Sequence, residues 1–149
     1  VTAWTPRERE IQTPTGGIRY GGPCRDDYPN MVTYDQGGGN TILTLQHPAM
    51  TAFKRAEARY GKRRPSKRRD IRVLPGTNRT CATQERLYHE DSSRYAKPEI
   101  TGHPRGLAID VDQSQGWLAL RRIRRALLAE GWVQVRPDEL WHYSYFIAI

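Results

Sequence analysis

The residues in this sequence whose types and spacing point to chemistry are His103, Asp110 and His142, with Glu139 placed three residues before the last imidazole. Two imidazoles and a carboxylate form a ligand set for zinc, which uses three protein ligands and leaves a fourth position open when its site is catalytic. A carboxylate outside that set but near the open position can take a proton from an attacking water and hand it to a leaving amine. The expected cofactor is therefore Zn²⁺, held by His103, Asp110 and His142, with Glu139 as general base. The expected reaction class is hydrolysis.

The elements that must position these groups follow from periodicity. From Gly106 the residues alternate as in a half-buried strand: Leu107, Ile109 and Val111 face the core, while Gly106, Ala108 and Asp110 face the other way. Two very small residues beside a carboxylate leave room for an ion and a substrate close to the sheet. His103 lies just before this strand, where Pro104 and Gly106 favour a bend that swings the imidazole over the open face. Trp141 to Phe146 alternates again, with Trp141, Tyr143 and Tyr145 on one side and His142, Ser144 and Phe146 on the other. If the two strands share a sheet, the three ligands converge. On a regular strand Glu139 would face away from His142, so a turn must intervene, and Pro137-Asp138 supplies one.

His103-Pro104-Arg105-Gly106-Leu107-Ala108-Ile109-Asp110, followed by Glu139-Leu140-Trp141-His142, resembles the D-alanyl-D-alanine carboxypeptidase and L-alanyl-D-glutamate endopeptidase family. These zinc enzymes cut the short peptides of bacterial cell walls and include resistance dipeptidases and bacteriophage endolysins. The resemblance implies the ligand set and the base named above. Upstream, Gly76-Thr77-Asn78-Arg79-Thr80 with Gln84 and Leu87-Tyr88 is similar to the family segment in which an arginine precedes a helix. Arg79 then carries over as the group that steadies the substrate carbonyl and its oxyanion, and Thr101 and Gln84 as substrate-binding positions. Asn78 stands where an aromatic is usual and Thr101 where a serine is usual, departures that bear on substrate side-chain preference. The match runs over roughly residues 70 to 146 and does not reach the first 45 or so.

At 149 residues the chain has the length of one domain with a core of its own. The expected class is α+β: a small central antiparallel sheet carrying the zinc site and flanked by helices. Residues 1–46, broken by Gly16-Gly17, Gly21-Gly22-Pro23 and Gly37-Gly38-Gly39, should form a loop-rich segment on a catalytic core of 47–149, with a strand over Thr41–Leu45. Pro48 opens a helix whose Met50, Phe53, Ala56 and Tyr60 recur at helical spacing until Gly61. Ile71–Leu74 should be a strand, Thr83–Glu90 a helix, and 91–102 a loop past the site entrance. Trp117, Leu120, Ile123, Leu127 and Leu128 form a helical stripe stopped by Gly131. Trp132–Val135 and Trp141–Phe146 then suggest a hairpin.

Lys and Arg number 24 against 16 Asp and Glu, a formal net charge of +8, with the excess in residues 62–69 and in Arg121, Arg122, Arg124 and Arg125. Such a surface seeks polyanions. Nucleic acid and the anionic polymers of a bacterial wall both qualify, and solvated helix faces are the plain alternative. A basic non-catalytic module binding nucleic acid or wall polymer is the competing reading, but a structural zinc would call for four protein ligands. Cys24 and Cys81 permit one bridge in an oxidising compartment, or remain buried thiols. His47 and His89 read as ordinary surface histidines, and Asp112 as a carboxylate sharing the face of Asp110. No apolar run approaches the ~20 residues of a membrane span, and the N-terminus lacks a signal-peptide pattern. The expectation is a monomer acting on the peptidoglycan stem peptide at the wall, reached by export or at host lysis.

Overall fold

The computed structural model describes residues 24–28, 30–37, 42–62, 70–95, 101–134 and 139–145. The elements are β1 (Met31–Asp35), β2 (Ile42–Gln46), α1 (His47–Lys62), α2 (Cys81–Glu90), β3 (Ala108–Asp110), α3 (Trp117–Ala129) and β4 (His142–Ser144), with 3-10 turns at Pro75–Thr77 and Gln113–Gln115. The architecture is α+β, with two antiparallel strand pairs, β1–β2 and β3–β4. The basic stretch at 63–69, the glycine-rich start of the chain, residues 135–138 with the expected Pro137-Asp138 turn, and Phe146 lie outside the described residues.

β2 alternates as its sequence requires, with Leu43 and Leu45 fully buried between less buried neighbours. It pairs with β1, placing Thr33 opposite Thr44. Sequence reading left β1 among loops, yet Val32 and Tyr34 alternate with exposed Met31, Thr33 and Asp35 and pack on the core. β2 runs directly into α1, so Leu43 and Leu45 share one core with Ala49, Phe53 and Ala56. Glu57 of α1 ties neighbouring segments together: its carboxylate accepts from the Tyr34 hydroxyl at 2.5 Å, Gln36 Nε2 at 2.6 Å and the Ile71 amide at 3.0 Å.

α1 packs against α3, whose buried positions are Ala119, Ile123, Ala126 and Leu127. The expected stripe is therefore shifted at its ends: Trp117 is 68% exposed and lies under Arg121, and the small residues Ala119 and Ala126 take the interface. Small side chains let the helix backbones approach closely. The helix stops where Trp132 N–H reaches back to Leu127 C=O at 3.0 Å and Gly131 takes a φ of 95°, a conformation glycine adopts without strain.

β3 and β4 are short, but their ladder extends beyond them. Val111 N–H bonds Trp141 C=O and Tyr145 N–H bonds Leu107 C=O, each at 2.8 Å. Single antiparallel bridges add Val73 beside Val111 and Val133 beside Ser144. The strand expected over Ile71–Leu74 is reduced to that one bridge, because Pro75 has no N–H to continue the ladder and turns the chain into a 3-10 turn. α2 begins at Cys81, earlier than expected, because the Thr80 hydroxyl caps it by accepting from Thr83 N–H at 3.1 Å.

Candidate metal centre and cleft

The β3–β4 register sets Asp110 directly opposite His142 and Ala108 opposite Ser144. His103 arrives from the turn before β3, where Gly106 at a φ of 68° lets Leu107 N–H return to Gly102 C=O at 2.9 Å. The three side chains are buried, and one ligand atom from each lies within 4.8 Å of the others. Asp110 Oδ1 is 3.1 Å from His142 Nδ1 and 3.3 Å from His103 Nε2. Among the described residues no fourth His, Cys, Asp or Glu joins this group.

The remaining nitrogens are held from behind. His103 Nδ1 lies 3.0 Å from Thr77 C=O, which can only accept, so this nitrogen carries the proton and Nε2 presents its lone pair. His142 Nε2 lies 3.0 Å from the Ser144 hydroxyl, which can accept its proton and leave the Nδ1 lone pair facing Asp110. Thr77 also braces the carboxylate's own strand, its hydroxyl accepting from Asp110 N–H at 3.0 Å. Such outer hydrogen bonds orient metal-binding imidazoles. Burial alone would raise the Asp110 carboxyl, but the charge and hydrogen bond of His103 and the hydrogen bond of His142 outweigh it when their ring protons face the carboxylate, leaving its pKa well below the usual carboxylate range; with a cation between them the same nitrogens turn lone pairs to the ion instead. Burial lowers the His142 pKa against the opposing pull of Asp110, so this imidazole is neutral at neutral pH. An ionised carboxylate and a neutral imidazole are the forms that ligate a cation. The donor set therefore fits a metal, with three ligands as catalytic zinc takes them.

Arg79 occupies the second carboxylate oxygen: Nη2 donates to Asp110 Oδ2 at 3.1 Å and Nη1 to Gln84 Oε1 at 3.1 Å. Its guanidinium also lies over the Tyr95 ring, 5.6 Å from the centroid. Gln84, expected at the substrate, is instead buried behind Arg79 as a brace, because its position on α2 turns it inward beneath the guanidinium. Thr101 is buried at the cleft, its hydroxyl 3.5 Å from His103 N–H. Glu139 sits on the turn that the strand parity demanded, with His142 N–H donating to its carbonyl at 3.2 Å. Asp112 caps the next 3-10 turn, accepting from Ser114 N–H and hydroxyl at 2.9 and 2.7 Å.

A cleft of about 580 Å³ brings these groups together, its wall including Arg79, Thr101, His103, Asp110, Glu139 and His142. The positioning roles of Thr77 and Tyr95 were missed from sequence. A threonine in a Pro-Gly-Thr turn gives no periodic signal, whereas an aromatic in the otherwise polar loop after α2 was a usable one. A Cys24–Cys81 disulfide ties the segment 24–28 to the start of α2, two residues along the chain from Arg79. Asp26 accepts from Cys81 N–H at 2.8 Å, and the Tyr28 hydroxyl accepts from Arg105 at 3.0 Å.

No family model and no curated protein matches this sequence. Among solved structures, the chain is similar to a mutant of the vancomycin-resistance D,D-pentapeptidase VanY from a VanB-type resistance cassette, determined in complex with Zn(II). The TM-score is 0.54 and the identity 16%, over 97% of this chain and 88% of that one. The chain therefore has a VanY-like α+β fold. Its buried His103–Asp110–His142 group is a candidate metal centre within that fold.

Proposed function

We propose that this chain is a zinc-dependent peptidase of the bacterial peptidoglycan stem peptide, acting as a D-Ala-D-Ala carboxypeptidase or an L-Ala-D-Glu endopeptidase, in the role of a phage endolysin or another wall-lytic enzyme. The observation that carries the reading is the convergence of His103, Asp110 and His142, backed by protein oxygens and bordering a cleft that also holds Glu139. In that reading zinc bound by the three residues supplies Lewis acidity, polarising a carbonyl and making a water easier to deprotonate.

The chain's own residues do the rest. Glu139 accepts the proton of the attacking water and delivers it to the departing amine. Arg79 is fixed by Asp110, Gln84 and Tyr95, so its charge is preorganised for a carbonyl oxygen that becomes negative on attack. Thr101 borders the cleft in which the substrate backbone would lie. The Cys24–Cys81 disulfide supports a site of action outside the reducing cytosol. No helix among the described residues is long and apolar enough to cross a membrane.

The test is mass analysis of fragments released from defined bacterial walls by the zinc-loaded chain, beside the same chain stripped with a chelator and the Glu139→Gln variant. Wild type should release a single class of stem-peptide fragment, and chelation should abolish release until zinc is restored. Glu139→Gln should retain zinc while turnover falls by about 10²–10⁴-fold. Near-normal turnover in that variant would show that the base is assigned to the wrong residue, and no fragment from any wall would overturn the substrate.

A further inference from the structure

The four arginines of α3, part of the chain's charge excess, do not border the cleft, and they are not equivalent. Arg121 stacks over Trp117 at 5.4 Å and Arg124 donates to Gln134 Oε1 at 2.7 Å. Arg122 and Arg125 are exposed and have no carboxylate partner among the described residues. Three residues apart on α3, they project from one side of the helix. That side meets Arg59 of α1, and the three arginines border a depression of about 350 Å³ with Tyr60, Ala126 and Ala129. The alanines keep the depression open. Arg59 Nε is held by Glu130, the one carboxylate paired with the cluster among the described residues. Positive charge is thus gathered around one hollow in excess of its counter-charge, an arrangement that repels itself until an anion enters. None of these residues borders the catalytic cleft.

We propose that this hollow between α1 and α3 is a second binding site, specific for the phosphodiester groups of an anionic wall polymer, which holds the enzyme on its insoluble substrate. The proposal rests on the wall-peptidase reading for the identity of the polymer; the anion site itself follows from the arginines. Guanidinium forks match phosphate oxygens in pairs, and several forks around one hollow select a phosphate-bearing chain over an isolated carboxylate. Nucleic acid carries the same phosphates, but single-stranded binders add exposed aromatic faces for the bases. The aromatic that borders the hollow, Tyr60, is 4% exposed and has no face to offer, and the exposed Trp117 of α3 is not among the lining residues.

The experiment uses the zinc-loaded chain, purified teichoic acid as the probe, and the Arg122→Gln/Arg125→Gln and Arg122→Lys/Arg125→Lys double variants. Wild type should bind the polymer with an affinity that falls as salt rises. The glutamine pair should bind at least ~10-fold more weakly and the lysine pair in between, since lysine keeps the charge but not the fork. All three should hydrolyse a soluble stem peptide equally, and walls stripped of phosphate polymer should retain wild type no better than the glutamine pair. Equal binding by wild type and the glutamine pair, or preference for nucleic acid over teichoic acid at equal phosphate, overturns the proposal. Loss of soluble-peptide hydrolysis in the glutamine pair overturns it as well, because the arginines would then serve the fold or the cleft. Arginine-dependent polymer binding by a chain that cleaves no stem peptide leaves the anion site standing and removes the peptidase reading instead.

Discussion

The two antiparallel pairs of this molecule have the same hydrogen-bond pattern and opposite economies of burial. In β1–β2 each strand is five residues long; the inner positions Leu43 and Leu45 are fully buried, and the outer threonines Thr33 and Thr44 meet at 3.4 Å. In β3–β4 each strand is three residues long and every residue is buried. One face, Ile109 and Tyr143, enters the core, and the other holds Asp110, His142 and Ser144. Burying polar groups is unfavourable unless each finds a partner. Here they do: Asp110 is met by two imidazoles and Arg79, and the imidazoles by Thr77 and Ser144. The longer pair is built for the core, whereas the shorter pair concentrates donors that favour a cation.

The largest expected effect separates the pairs outright. His142→Ala removes a ligand and leaves Asp110 with one imidazole, so stoichiometric zinc in the wild type should fall to a trace after dialysis, read by elemental analysis. Next comes Leu45→Ala, which opens a cavity beneath β2 and should cost about 2–5 kcal/mol in denaturant unfolding. Zinc content per folded molecule should not change. Parallel loss of zinc would mean that the pairs are coupled, and the route is visible: Gln46 N–H donates to Gly106 C=O at 3.0 Å and Gln46 Nε2 to Arg105 C=O at 2.8 Å, next to His103.

Legibility from sequence differs between the pairs for a physical reason. The ligand strand was readable because Leu107, Ile109 and Val111 repeat at the strand period on the face opposite Asp110, and all three enter the core; Gly106, expected on the ligand face, instead makes the turn before β3 at a φ of 68°. β1 was not readable, since none of its residues is fully buried and its alternation is masked by the polar neighbours of a loop-rich region. Helices α1 and α3 were readable from their apolar spacing, but the stripe that included Trp117 and Leu128 counted large apolar residues and passed over Ala119 and Ala126, which are buried. Thr77 contributes through a carbonyl and one hydroxyl, and a backbone acceptor leaves no trace in residue type. Gln84 was placed at the substrate by resemblance, whereas its place behind Arg79 depends on how α2 is rotated, which no local pattern reveals.

Ser144→Ala tests whether the outer hydrogen bonds of the short pair matter beyond holding the fold. Without the hydroxyl, His142 Nε2 loses its partner at 3.0 Å and the imidazole can change tautomer, presenting a protonated Nδ1 to the ion. Losses of this kind weaken metal binding about 10–100-fold, measurable by competition with a chromophoric chelator. An unchanged affinity would show that the ring is fixed without the Ser144 hydroxyl.

The smallest effect belongs to the outer face of the long pair. Thr33→Ala removes one hydroxyl from an exposed cross-strand pair whose partner, Thr44, remains partly open to water. Such pairs contribute about 0.2–1 kcal/mol, and water replaces the lost bond, so the unfolding midpoint should move only slightly while zinc affinity and hydrolysis stay at wild-type values. A loss approaching that of Leu45→Ala would mean that β1 is held mainly by its outer face, and that Val32 and Tyr34 contribute less to the core than their packing indicates. The contrast would then lie in which face of a short pair does the holding, and Tyr34→Phe, which keeps the ring but removes the bond to Glu57, would be the variant that separates packing from hydrogen bonding.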